Sequence, residues 1–179
     1  EFYESGYAQY FQDVMFDSPE LAAFCPDLIY IHTSTRNINA FPSVKDTEEE
    51  IDALLEETYA PFEAMWKKIE TVYHCPVIQN NFEPPHYRLL GNRDAWDPHG
   101  RLNFVNRLNA RFCAYAAAHE NFYIHDISYL ASCCGLDQWS DPFYWHMYKY
   151  ACAVPAIPAL CFNLANIVKS LFGKNKKAL

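Results

Sequence analysis

The chain has 179 residues, 51% hydrophobic and 20% charged, and its formal net charge is −8. That length buries one sizeable core rather than two, and that composition excludes intrinsic disorder. With pI near 5.3 and one basic cluster (Lys169, Lys174, Lys176, Lys177), the chain is also unlike a nucleic-acid binder, which is basic on at least one face.

The chain opens with Glu1-Phe2-Tyr3, read as the end of a strand, and Tyr7 to Val14 reads as a short helix. Ser18-Pro19-Glu20 supplies an N-cap and a proline at the first helical position, and Pro26 stops that helix. Asp27 to Thr33 is apolar rather than alternating, as in a strand buried on both faces. A polar loop runs from Ser34 to Lys45. Thr47-Glu48-Glu49-Glu50 is a capping box. It opens the clearest helix, with Ile51, Leu54, Leu55, Tyr59, Phe62, Met65, Trp66, Ile69 and Val72 on one stripe. Pro61 predicts a kink or break near Tyr59. The acidic residues between Asp46 and Glu70 read as the solvated face.

Pro76 to Asn80 is the second strand candidate, and a long polar loop, Asn81 to Gly100, follows it. Leu102 to His119 is helical by spacing, Phe122 to Ile127 is a third strand, and Ser128 to Cys134 is a helix ended by Gly135. A last helical region, Tyr144 to Phe172, is broken near Pro155 and Pro158. Pro155, Pro158, Asn163, Asn166 and Lys169 keep any apolar run short of the ~18 residues that span a bilayer. Alternation of strands and helices predicts a parallel sheet covered on both faces, with ligands beyond the carboxyl ends of its strands.

Three constellations lie at such ends. His32-Thr33-Ser34-Thr35-Arg36-Asn37 can bind an anion or donate to an oxyanion, or can be a polar loop that satisfies its own backbone. Gln79-Asn80-Asn81-Phe82-Glu83 can hold a substrate carbonyl or hydroxyl, or can anchor the loop after it. In Trp139-Ser140-Asp141-Pro142-Phe143-Tyr144-Trp145-His146, Asp141 either orients His146 as a base or caps the helix that Pro142 begins. Asp126 reads as another N-cap. The remaining histidines have no metal-ligand spacing, so no metal and no cofactor are expected. Seven cysteines without a CxxC suggest reduced, buried thiols and a cytoplasmic protein.

Pro26 to Asn37 resembles the strand and following block of SGNH (GDSL-type) hydrolases, in which an Asn serves the oxyanion hole. Asn80-Asn81-Phe82-Glu83-Pro84-Pro85, with Trp139-Ser140-Asp141, Trp145-His146 and Lys149, resembles the amino-terminal domain of FkbH-like proteins. There an SGNH-like domain precedes a haloacid-dehalogenase-type phosphatase domain. The resemblance implies a three-layer α/β/α sandwich with a mostly parallel sheet, SGNH-hydrolase-like (flavodoxin-like), lacking its first strand. It implies an SGNH-like domain at 1–172, amino-terminally incomplete, and a linker at 173–179 toward a phosphatase-type domain. It implies acyl or glyceryl ester transfer or hydrolysis, linked to carrier-protein loading in polyketide or surface-polysaccharide biosynthesis.

By the same resemblance His146, Asp141 and Asn37 are catalytic, and Thr33, Ser34, Arg36, Asn80 and Asn81 bind substrate. The partners are an acyl carrier protein or small ester substrate and a carboxy-terminal phosphatase-type domain, with neither nucleic acid nor membrane. Departures from the pattern give the alternatives. No GDS block with a nucleophilic Ser precedes Asp27, Thr35 and Ile38 flank Asn37, Phe143 stands where the acid is usual, and no DxDxT is present. A catalytically degenerate domain that docks a carrier or substrate is therefore one alternative, with Arg88, Arg93, Arg101, Arg107 and Arg111 as its candidate basic patch. A general carbohydrate or lipid esterase is another.

Overall fold

The structure, a computed structural model, describes residues 1–6 and 8–173. Tyr7, the expected start of the first helix, and most of the expected linker 173–179 lie outside the described residues. Helices α1 (Tyr10–Met15) and α2 (Pro19–Phe24) lead to strand β1 (Ile29–Ile31). Helix α3 (Glu48–Val72) connects to β2 (Val77–Asn80), and α4 (Arg101–Ala118) to β3 (Phe122–His125). Helices α5 (Ile127–Cys134), α6 (Leu136–Trp139), α7 (Pro142–Tyr148) and α8 (Ile157–Phe172) close the order.

The three strands form one parallel sheet in the order β1-β2-β3, so the expected α/β class and parallel sheet hold. Glu1-Phe2-Tyr3 is not a strand. Its Tyr3 hydroxyl instead donates to Asp13 at 3.0 Å and its ring rests near Phe24, tying the opening segment to α1 and α2.

Helix starts follow the capping chemistry. Thr47 and Glu50 bond reciprocally at α3, Ser18 Oγ accepts from Leu21 N–H at α2, and Asp126 accepts from Tyr129 N–H at α5. Helix α4 begins at Gly100 without a cap of its own. The buried Asp94 carboxylate takes that role from the preceding loop, accepting from Leu102 N–H at 2.7 Å. Gly100 lies so close that a Cβ there would stand 2.2 Å from the Asp94 carbonyl oxygen.

The expected break near Tyr59 is absent, because α3 runs unbroken through Pro61. Pro61 withholds an N–H from the ladder, yet seven buried side chains hold the helix to the core on both sides of it.

Register separates two faces of the sheet. Ile31, Val77 and Phe122 point toward α3 and α4 and join the main core. Trp66 is fully buried at its centre, with the rings of Phe112, Tyr115 and Phe122 at 4.7–4.8 Å. Its indole N–H donates to Gln79 Oε1 at 3.2 Å. Tyr30, Ile78, Asn80 and His125 project from the opposite face, where α8 approaches β3 and α5 packs on α8.

That second layer is thinner. Val154–Phe172 forms a 19-residue helical stretch of mean hydropathy 1.4, only 6% buried, with Phe162 and Phe172 largely exposed. The expectation that no apolar run reaches bilayer length is therefore corrected: the prolines sit in the opening turn, and Asn163, Asn166 and Lys169 do not interrupt the helix. Of the seven free thiols, Cys75 and Cys152 are buried and Cys25, Cys113, Cys133 and Cys161 are exposed, so the expected burial of the thiols holds for two.

Trp66→Ala removes the ring that joins α3, α4 and β3 and strands the Gln79 carboxamide. A loss of about 3–5 kcal/mol in urea unfolding is expected, with a large cavity left behind.

Candidate functional site at the carboxyl ends of the strands

Carboxamides bind the strand ends to one another. Asn80 Oδ1 accepts from Thr33 N–H at 2.7 Å, and its Nδ2 donates to the carbonyls of Thr33 and Asn81. Asn81 reaches the other way, donating to Asp126 Oδ1 at 2.7 Å and accepting from Ser128 N–H at 3.1 Å. Gln79 donates to Thr33 Oγ1 and to the Asn80 carbonyl. Asn109 of α4 grips both backbone groups of Phe82 at 2.8 Å. Buried backbone that leaves a sheet must find partners, and these amides supply them.

The turn after β1 is fixed in the same manner. Ser34 N–H donates to Asn37 Oδ1 at 2.9 Å while Ser34 Oγ accepts from Arg36 N–H, closing a capping box over the single turn Thr35–Asn37. Thr35 then meets the second loop: its hydroxyl donates to Glu83 Oε1 at 2.9 Å, and its N–H is shared between both carboxylate oxygens at 3.2 and 3.3 Å.

Beyond these turns opens a cavity of about 290 Å³. Thr35, Arg36, Glu83, His86, Arg101 and Trp139 are among its walls. Glu83 is 8% exposed. Burial drives its carboxyl up to about 7, against the opposing pull of its hydrogen bonds and of Arg36. Both arginines lie over aromatic rings, Arg36 at 4.4 Å from the Trp145 centroid and Arg101 at 5.0 Å from Phe41. Neither forms an ion pair among the described residues, whereas Arg93, Arg107 and Arg111 pair with Asp97, Asp52 and Glu56.

A second polar cluster lies on the α8 side of the sheet. The Tyr30 hydroxyl stands 2.9 Å from His32 Nδ1 and 3.0 Å from His125 Nδ1. One hydroxyl proton serves one ring nitrogen, so the other ring must donate its own N–H to the phenol oxygen. Burial, with His125 nearby, pulls His32 down to about 4, and burial lowers His125 as well. His125 Nε2 is buried without a partner among the described residues.

The expected site residues separate into groups. Arg36 lines the cavity, and Thr33, Ser34, Asn80 and Asn81 are buried in the lattice behind it. The side-chain oxygen of Asn37 is held inside the capping box, and Asn37 lines a different groove, between α1 and α3. Asp141 caps α7 by accepting from the N–H groups of Phe143 and Tyr144, while His146 is exposed and has no hydrogen bond to Asp141. Glu83, the last residue of the second constellation, and Arg101, a member of the candidate basic patch, line the cavity although neither is among the expected catalytic or substrate-binding residues. The signal for Glu83 is a lone acid set between Phe82 and Pro84-Pro85, where water is scarce. Among the described residues no three His, Cys, Asp or Glu side chains gather as a metal site.

Removing the Asn80 carboxamide leaves the buried N–H and C=O of Thr33 unpaired. Asn80→Ala is expected to cost about 2–4 kcal/mol in denaturant unfolding, at ~1–3 kcal/mol for each stranded group. The lowered His32 gives a pH test. The unfolded chain takes up a proton below about 6.5, the folded one only near 4, so folding stability drops as pH falls through that window. Unfolding midpoints measured from pH 7 to pH 4 should fall less steeply for His32→Gln.

The family model described as the FkbH N-terminal domain matches residues 1–169. No curated protein matches. Among solved structures, the N-terminal part of the protein BF1531 from Bacteroides fragilis, containing a phosphatase domain and complexed with Mg, superposes with a TM-score of 0.82 at 18% identity. The match covers 99% of this chain and 46% of that one, so this chain spans less than half of its structural neighbour. That likeness shows a shared fold. With the family model matched over nearly all of its length, the chain belongs to the FkbH N-terminal domain family.

Proposed function

We propose that this chain is an SGNH-derived domain that binds, holding a small acyl or glyceryl substrate for a neighbouring phosphatase-type domain during carrier-protein loading. The observation that carries the reading is the fate of the expected catalytic groups. Asp141 is spent on a helix cap, Asn37 on a turn, and His146 stands in solvent. The cavity at the strand ends instead presents Glu83, Arg36 and Arg101. These are groups for recognition and charge, and none of the expected catalytic groups Asn37, Asp141 and His146 is among the cavity walls.

The phosphatase partner draws support from the structural neighbour in Bacteroides fragilis, which contains such a domain. Carrier-protein docking comes from the family resemblance. Of the arginines suited to an acidic carrier, Arg93, Arg107 and Arg111 are neutralised by ion pairs, which leaves Arg88 and Arg101 without one among the described residues. A cytoplasmic setting belongs to the same proposal, supported by seven cysteines without paired spacing.

The chain is expected to release p-nitrophenol from p-nitrophenyl acetate no faster than buffer, and His146→Ala is expected to change nothing. Turnover well above buffer that His146→Ala abolishes would restore the ester-transfer reading with His146 as its base.

A further inference from the structure

The cavity wall carries a combination that a neutral ester does not require. Two arginines, Arg36 and Arg101, line one small chamber, and their guanidinium groups have no carboxylate partner among the described residues. Each lies over an aromatic ring, which restricts the head group while leaving its N–H edge unused. The one acid in the chamber wall, Glu83, is anchored by Thr35, which lines the same wall. Those bonds leave lone-pair capacity on Oε2, whose sole partner among the described residues is Thr35 N–H at 3.3 Å.

An ionised Glu83 would repel an anion seated between the arginines. A protonated Glu83 would instead donate to it, which turns the one repulsive group into a third donor. We propose that the chamber binds a small organic oxyanion, a carboxylate or phosphate group, together with one proton that Glu83 takes from solvent. This rests on the binding reading above and adds the charge class of the ligand. Arg36 and Arg101 hold the oxygens and Glu83 supplies an O–H. Trp139, Phe41 and the two prolines, Pro84 and Pro85, give the apolar wall for the carbon end of the ligand. The height of the Glu83 carboxyl, near 7, places the uptake at neutral pH.

Two probes keep a constant charge between pH 6 and pH 8: sulfate for a tetrahedral oxyanion and propanoate for a carboxylate. Calorimetric titration of the full chain with each, at both pH values, is the test. The expected result is binding of one or both about tenfold tighter at pH 6, the ratio set by a carboxyl titrating near 7. Repeating the titration at pH 8 in two buffers of different ionisation enthalpy should show close to one proton taken up, and Glu83→Gln should abolish that uptake, which separates Glu83 from His86 in the same wall. Glu83→Gln should bind with equal affinity at both pH values, and Arg101→Met should weaken binding throughout. Equal wild-type affinity at pH 6 and pH 8, or no binding of either anion, overturns the proposal. If neither anion binds but neutral glyceryl monoacetate does, the oxyanion inference fails and the binding reading stands. Ester turnover that depends on His146 removes both.

Discussion

The Asn80 carboxamide is the constraint on which the rest of the site depends. It closes a ring of hydrogen bonds onto the two backbone groups of Thr33, where β1 has ended and no strand pairing remains. A hydrocarbon side chain at that position would leave a buried amide N–H and carbonyl to water that cannot reach them. Because Thr33 is fixed, the Ser34–Asn37 turn starts from a defined point, and Thr35 arrives within reach of Glu83. Asn81 repeats the device one strand over, so the mouth of the sheet is built as a continuous seam.

Behind the seam the packing is aromatic. Trp66, Phe112, Tyr115 and Phe122 meet at tilted or edge-on angles rather than stacking flat, the arrangement that ring quadrupoles favour. This cluster sits on one face only. The opposite face is polar near its carboxyl end, with Tyr30, His32 and His125 sharing protons in a dry environment. Two faces of one sheet thus differ in chemistry because alternate residues of short strands point opposite ways.

Local patterns were legible where the physics is local. The capping box at Thr47, the apolar stripe from Ile51 to Ile69 and the three strands could be read from spacing, since each depends on neighbours a few residues away. The unbroken path through Pro61 could not, because tertiary burial of Tyr59, Phe62 and Trp66 outweighs one missing hydrogen bond. The site shows the same division. Asp141 and Pro142 announce a cap, and Asn80 and Asn81 announce polar work at a strand end. Whether those amides face ligand or backbone depends on contacts 45 or more residues distant, such as Asn80 to Thr33 and Asn81 to Asp126. Glu83 is easily passed over because its importance lies in dehydration, and only the fold determines how dry a carboxyl becomes.

The exposed apolar side of α8 bears on how the molecule behaves in bulk. Each 100 Å² of hydrocarbon left in water forgoes about 2–3 kcal/mol of transfer free energy, so helices of this kind attract one another whenever molecules collide. What opposes the attraction is the charge of −8, which keeps like molecules apart at neutral pH. Acidification toward the pI near 5.3 removes that repulsion. In the same interval the lowered His32 erodes the folded state. Colloidal and conformational stability therefore fail together on the acid side, and the chain is best kept in solution above neutrality.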